Sequence, residues 1–358
     1  METAWPALHM EDGCYVNNST LPSDFYSSDY YVDKMLQFMK ERPAEKPFFA
    51  YLPFSAPHYP LWSSMDAPTR AKSARSMEAY AGMVDRMDED IGKLLSYLKE
   101  HGLYENTMII FVSDNGAEGA SMETRPVMGD QLMVHLKKYY NNALDNIGRK
   151  DSYAWYGTRW AQASTAPSRL YKHFSTEGGV RVPMIMKAAK EHHEAICHQF
   201  CTVMDIMPTI LQLANIAKPG NVYNGRDVLD IRGISWVPFL QGTAARIHAE
   251  DHVTGWELNG QAALRKGNWK INWVYAPKGP EVWQLYDLTV DPGEINDLGE
   301  SRKEKLNEMI ALWEEYARDN NVVGLKTDFE RIIMKDETEN PTAWMDFETS
   351  GSILQDLK

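Results

Sequence analysis

The sequence predicts an α/β protein: a mostly parallel sheet flanked by helices, then a small antiparallel sheet with a covering helix. In the first half, helix-period segments alternate with short apolar runs, the pattern of strands buried on both faces between helices. After about residue 242 the texture changes to short alternating strands separated by Gly-containing turns. The 358 residues, 44% hydrophobic and 24% charged, hold enough apolar material for more than one core and lack the composition of disordered, collagen-like or coiled-coil chains.

From Ser28 to Lys40, Tyr31, Met35, Phe38 and Met39 recur at helical spacing, and Glu41-Arg42-Pro43 ends the helix. Pro47 to Phe54 reads as a first buried strand. Ser76 to Glu100 places Tyr80, Val84, Met87, Ile91, Leu94 and Leu98 on one helical stripe, with Gly102 as its stop. Thr107 to Val112 is a second strand and runs into Ser113-Asp114-Asn115-Gly116. Val182 to Met186 is a third, after Glu177-Gly178-Gly179, and Gln199 to Val203 a fourth, ahead of a helix opening at Asp205. Residues 120–166 show no sheet pattern, and long irregular insertions tend to be functional. In the last part Ala262–Arg265, Trp269–Trp273 and Glu281–Leu288 read as strands with turns at 266–268 and 278–280. A helix from Arg302 to Asp319, with Leu306, Met309, Ile310, Trp313 and Tyr316 on one face, is expected to cover them. The expected division is 1–246 for the α/β domain, 247–325 for an α+β subdomain and 326–358 for an acidic, loose tail.

A net charge of −13 disfavours nucleic acid and anionic lipid as partners. No apolar run approaches the ~18 residues of a membrane span, and the opening METAWPALHMED lacks the basic start and apolar middle of a signal peptide. That opening, with Trp5, Pro6 and Leu8 in an irregular stretch, reads like the inside of a protein, and an upstream piece is expected. Cys14, Cys197 and Cys201 are an odd set that makes no disulfide framework, which leaves the compartment open.

Ligands of open α/β sheets bind beyond the carboxyl ends of the strands, and two polar clusters sit there. Asp114 and Asn115 offer a carboxylate and a side-chain carbonyl, the hard oxygens that Ca²⁺ or Mg²⁺ takes; the plainer alternative is turn chemistry. His58, between Pro57 and Pro60, is presented on stiff backbone that suits catalysis, against the alternative of a structural or solvated histidine. Lys172, close before Thr176-Glu177-Gly178-Gly179, is a candidate cation for an anionic group, though lysines are most often solvated. Two further patterns are set aside. Thr165 heads Thr165-Ala166-Pro167-Ser168-Arg169 but not at a helix start, and the His192, His193, Cys197, His198, Cys201 group matches no standard zinc spacing.

Taken together these segments resemble the sulfatase family of the alkaline-phosphatase-like superfamily, and within it arylsulfatases of the bacterial and fungal kind. The likeness is carried by PFFAYLPFSAPHYPL at 47–61, YAGMVDRMDEDIGKLLSYL at 80–98, TMIIFVSDNGAEG at 107–119 and APSRLYKHFSTEGGVRVP at 166–183. VMDIMPTILQLA at 203–214, GWELNGQAALRKGNWKI at 255–271 and LYDLTVDPGEINDL at 285–298 continue it in order. The resemblance implies an alkaline-phosphatase-like fold and hydrolysis of small sulfate esters. It implies that Asp114 and Asn115 ligate Ca²⁺ and that His58 and Lys172 contact the sulfate and its bridging oxygen, His58 as proton donor assisted by Lys172. It also implies a formylglycine nucleophile made from Cys/Ser-x-Pro-Ser-Arg and two further aspartates on the first strand, and this sequence contains neither. The expectation is therefore a sulfuric ester hydrolase whose nucleophile is missing from this chain, with a non-catalytic remnant and a phosphoester or phosphonate hydrolase of the same superfamily as alternatives.

Overall fold

The computed structural model describes residues 9–22, 25–58, 72–119, 130–189 and 196–323. Helix α1, Ser27–Glu41, opens with Asp29 and closes with Lys40, each complementing the helix dipole at its end. It buries Val32 and Met39 and packs on α2, Lys72–Glu100. A forked ion pair ties the two helices, Arg86 Nε to Asp29 Oδ1 at 2.8 Å and a terminal Arg86 nitrogen to Oδ2 at 2.5 Å. At the far end of α2, Tyr97 and Leu98 pack with Met39, and Phe48 and Ile109 close around them.

Two short hairpins stand apart: β1, Met10–Glu11, with β2, Cys14–Tyr15, and the later pair β5, Val222–Tyr223, with β6, Arg226–Asp227. Strand β3, Ile109–Val112, pairs with β4, Met184–Lys187. Between them lie α3, Asp130–Tyr139, α4, Gly157–Thr165, and α5, Glu177–Val180; after them come α6, Ile206–Leu213, and α7, Val237–Leu240.

The C-terminal sheet consists of β7, Val253–Leu258, β8, Gln261–Lys266, β9, Trp269–Trp273, and β10, Gln284–Asp287, in the order β10-β9-β8-β7, antiparallel throughout. Asn259 and Gly260 both take positive φ, the geometry of a two-residue hairpin turn between β7 and β8. Helix α8, Lys303–Asp319, covers the sheet: Met309 is fully buried with Leu264, Ile271 and Leu285, and Leu306, Ile310, Trp313 and Tyr316 extend the contact. Gly255 sits where a Cβ would lie 2.5 Å from the Tyr316 ring, so the helix lies directly on bare backbone there. The expected small antiparallel sheet with a covering helix is present.

Several expectations need correction. The β3–β4 pair is antiparallel, with Ile109 opposite Lys187 and Val112 opposite Met184, where a parallel neighbour was expected. The chain turns back through 176–183, and the Ser113 N–H meets the Pro183 carbonyl as the ladder begins. Residues 47–54 form no strand, and they are not buried on both faces: Phe49 and Tyr51 are 71% and 74% exposed, while Phe48, Leu52 and Phe54 are half-buried. Alternation of that kind marks an extended segment with one covered face. Residues 199–202 are also irregular, because the Asp205 carboxylate accepts the Thr202 N–H at 2.7 Å and starts a helical turn at Val203. Strand β7 was not anticipated. The expected loose tail from 326 lies outside the described residues.

Truncating Leu264, fully buried under α8, to alanine is expected to cost about 2–5 kcal/mol, read as a lower urea midpoint at unchanged slope.

Candidate active site

The site is built where β3 ends. Ser113 Oγ donates to the Asn115 carbonyl and Asn115 Nδ2 to the Gly116 carbonyl, both at 2.9 Å, which folds 113–116 into a tight turn. With its amide nitrogen engaged, Asn115 keeps Oδ1 as an acceptor that no hydrogen bond among the described residues uses. Asp114 beside it is exposed.

A second segment, 169–180, is stitched to this turn by its backbone. The Gly116 N–H donates to Gly179 O at 3.0 Å, and the Lys172 N–H donates to Ala117 O at 2.9 Å. The approach is so close that a Cβ on Gly116 would stand 1.8 Å from Gly178 O. The Lys172 ammonium then lies 3.2 Å from Glu118 Oε2, and His173 Nε2 lies 3.4 Å from Glu118 Oε1. Leu170 and His173, which flank Lys172, take φ of 59° and 78°. A left-handed backbone at such residues costs on the order of 1–3 kcal/mol and persists only where the surroundings impose it.

The surroundings that impose it are a buried ionic network under the loop. Lys270 on β9, with no exposed surface, places Nζ 2.8 Å from Glu177 Oε1 and 2.9 Å from Glu294 Oε1. Glu294 also accepts from the Glu177 N–H at 2.9 Å and from Asn272 Nδ2 at 3.1 Å. Burial pushes the Glu177 carboxyl up, but the Lys270 charge and hydrogen bond outweigh it and hold it below the usual range. Burial likewise opposes the charge on Lys270, and its two carboxylate partners hold it above the usual range. Further bonds grip the loop from the same sheet: Ser175 Oγ to Ala262 O, Gln261 Nε2 to His173 O, and Arg169 to Gln284 and Tyr286.

The turn that carries Asp114 and Asn115 and the loop that carries Lys172 are thus joined through their backbones. His58 is exposed, in a turn closed by its own N–H to Ser55 O at 3.0 Å. Ala56, two residues before it, is buried in the cluster that holds Tyr171 and Phe174 and packs Ala117 and Leu170, so one core supports all the candidate residues. The segments leaving His58 and Gly119 lie outside the described residues. Cavities of about 420 and 430 Å³ open elsewhere, and neither is lined by Asp114, Asn115, His58 or Lys172.

Asp114 and Asn115 suit Ca²⁺ in ligand type, since both present hard oxygens at one strand end, but a Ca²⁺ shell takes 6–8. Among the described residues no three His, Cys, Asp or Glu side chains converge as a metal site. The pair therefore fits as part of a shell. Thr165 Oγ1 donates to Leu170 O at 2.8 Å from the last turn of α4, so its hydroxyl holds the loop. Cys197 is exposed and Cys201 half-buried, with its thiol pushed up to about 11 mainly by burial; His192 and His193 lie outside the described residues. Sequence reasoning missed Glu118 and the Glu177–Lys270–Glu294 group, for an isolated charge in sequence carries no sign of a distant partner.

Comparison with known proteins bears on the family and the fold. The Sulfatase family model matches residues 6–216, and the model for the N-sulphoglucosamine sulphohydrolase C-terminal region matches 169–318. An uncharacterized sulfatase of Schizosaccharomyces pombe is 38% identical over 90% of this chain and 67% of its own length. An arylsulfatase of Klebsiella aerogenes is 30% identical over 65% of this chain and 59% of its own length. The crystal structure of Ps i-CgsB superposes with a TM-score of 0.57 at 23% identity, covering 94% of this chain and 64% of that one. A solved complex with the substrate D-glucosamine-2-N,6-O-disulfate superposes with a TM-score of 0.52 at 17% identity, covering 88% and 74%. These likenesses show an alkaline-phosphatase-like fold.

Lys270→Met is expected to leave two buried carboxylates unpaired and to cost about 3–5 kcal/mol, read by chemical denaturation. The pH dependence follows from the directions above. Glu177, lowered in the folded state, contributes fully above its unfolded pKa, and this is lost as pH falls through the folded value; Lys270, raised, contributes until pH rises through its folded value. Glu177→Gln should therefore flatten the fall in unfolding free energy that the parent chain shows below about pH 5.

Proposed function

The chain belongs to the sulfatase family, and on that premise we propose that it carries the metal-binding and leaving-group part of a sulfuric ester hydrolase site acting on small, arylsulfatase-type sulfate esters. The observation that supports this proposal is the backbone stitching of the Lys172 segment to the turn that carries Asp114 and Asn115, Lys172 N–H to Ala117 O and Gly116 N–H to Gly179 O. Asp114 and Asn115 would hold Ca²⁺, which when bound offsets negative charge on the sulfate oxygens. Lys172 then approaches the ester's oxygens as a second cation. Glu118, 3.2 Å from Lys172, holds the ammonium until the anionic group replaces it as partner. His58 gives its proton to the oxygen of the departing alcohol.

In the family the attack on sulfur comes from a formylglycine. This sequence has no Cys/Ser-x-Pro-Ser-Arg motif, and we assign no residue of the chain as nucleophile. The proposal takes residues 1–246 as the α/β domain and 247–325 as the C-terminal subdomain, with Lys270 at their seam.

Isothermal titration with 4-nitrophenyl sulfate in Ca²⁺ tests the assignment, with a phenyl phosphonate monoester as the competing ligand. Binding of the sulfate ester should weaken at least tenfold in Lys172→Met and in Asp114→Ala. Equal affinity in these variants, or tighter binding of the phosphonate, would contradict it. Turnover by the chain alone that Asp114→Ala abolishes would contradict the absence of a nucleophile.

A further inference from the structure

The cavity of about 420 Å³ between the 198–200 segment, the 246–252 segment and the β8–β9 hairpin has no part in the site above. Three observations single it out. His248 is 8% exposed, and its Nε2 lies 2.8 Å from Asp205 Oδ2. Asp205 is itself fully buried and fixed by the backbone N–H groups of Ile234 and Thr202, so it orients the imidazole. Nδ1, the other ring nitrogen, is buried and has no hydrogen-bond partner among the described residues.

Arg265 stands in the same wall. Its Nε donates to Gly267 O at 2.8 Å and its guanidinium lies over the Phe200 ring at 4.2 Å, while its terminal N–H groups meet no acceptor among the described residues. The third observation is charge. In a chain of net −13, this cavity gathers Arg246, Arg265, Lys266 and Lys305 against one lining carboxylate, Glu250, which pairs with Arg246. Lys266 and Lys305 share a single partner, Glu308.

The geometry points to a second binding site here for a small oxyanion, sulfate or phosphate, free or carried on an ester. The planar Arg265 fork takes two of its oxygens. The His248 ring, oriented by Asp205, offers Nδ1 to a third.

The test is titration of the full chain with inorganic sulfate, inorganic phosphate and glucose 6-sulfate at constant ionic strength. Saturable binding should persist in Lys172→Met, weaken at least tenfold in Arg265→Gln, and weaken at least threefold in Arg246→Glu, a change at an exposed side chain that the fold tolerates. Tighter binding of glucose 6-sulfate marks a sugar-borne group and equal affinity marks the free ion; either supports the site. Titrations unchanged in Arg265→Gln or in Arg246→Glu would overturn it. So would loss of binding in Lys172→Met, which would place the anion beside Asp114 instead.

Discussion

The buried ammonium of Lys270 is the interaction on which the candidate site rests. It stands on the C-terminal sheet, yet its two carboxylate partners belong to other segments, Glu177 under the Lys172 loop and Glu294 after β10. A buried ion pair is weak support for stability on its own, because desolvation opposes it. What it supplies here is position. Neither carboxylate can be buried elsewhere without a cation, so the loop seats on the sheet in one register.

That seating explains features which look costly in isolation. Leu170 and His173 hold left-handed backbone on either side of Lys172. The strain persists because Gln261 takes the His173 carbonyl, Arg169 reaches Gln284 and Tyr286, and Glu177 is locked below. Gly116 allows the strand-end turn to approach Gly178 where any side chain would collide. The small sheet thus fixes the loop that carries Lys172 against the turn that carries Asp114 and Asn115.

Much of this was legible from sequence where the signal is local. The stripes at 28–40 and 302–319 reappear as Ser27–Glu41 and Lys303–Asp319, because helical periodicity is written within a few turns. The polar cluster at Asp114 and Asn115 follows a strand, as its apolar run announced. Pairing direction was not legible: the partner of β3 lies some seventy residues on, and nothing in Met184–Lys187 records which way it runs. The run at 47–54 misled because apolar composition does not say whether both faces are covered. Strand β7 had a readable sign, the Asn259-Gly260 pair flanked by alternating residues, which went unused. Glu118, Glu177 and Glu294 gave no sign at all, since each is matched to its lysine only by the folded chain.

The central claim is that the Asp114–Asn115 turn and the Lys172 loop form one site. Hydrogen exchange at the Gly116 and Lys172 amides, in Ca²⁺ with and without 4-nitrophenyl sulfate, tests it most directly, because these N–H groups make the stitching bonds. Protection rising at both amides together is the predicted result. Protection rising at one while the other is unchanged would contradict a shared site.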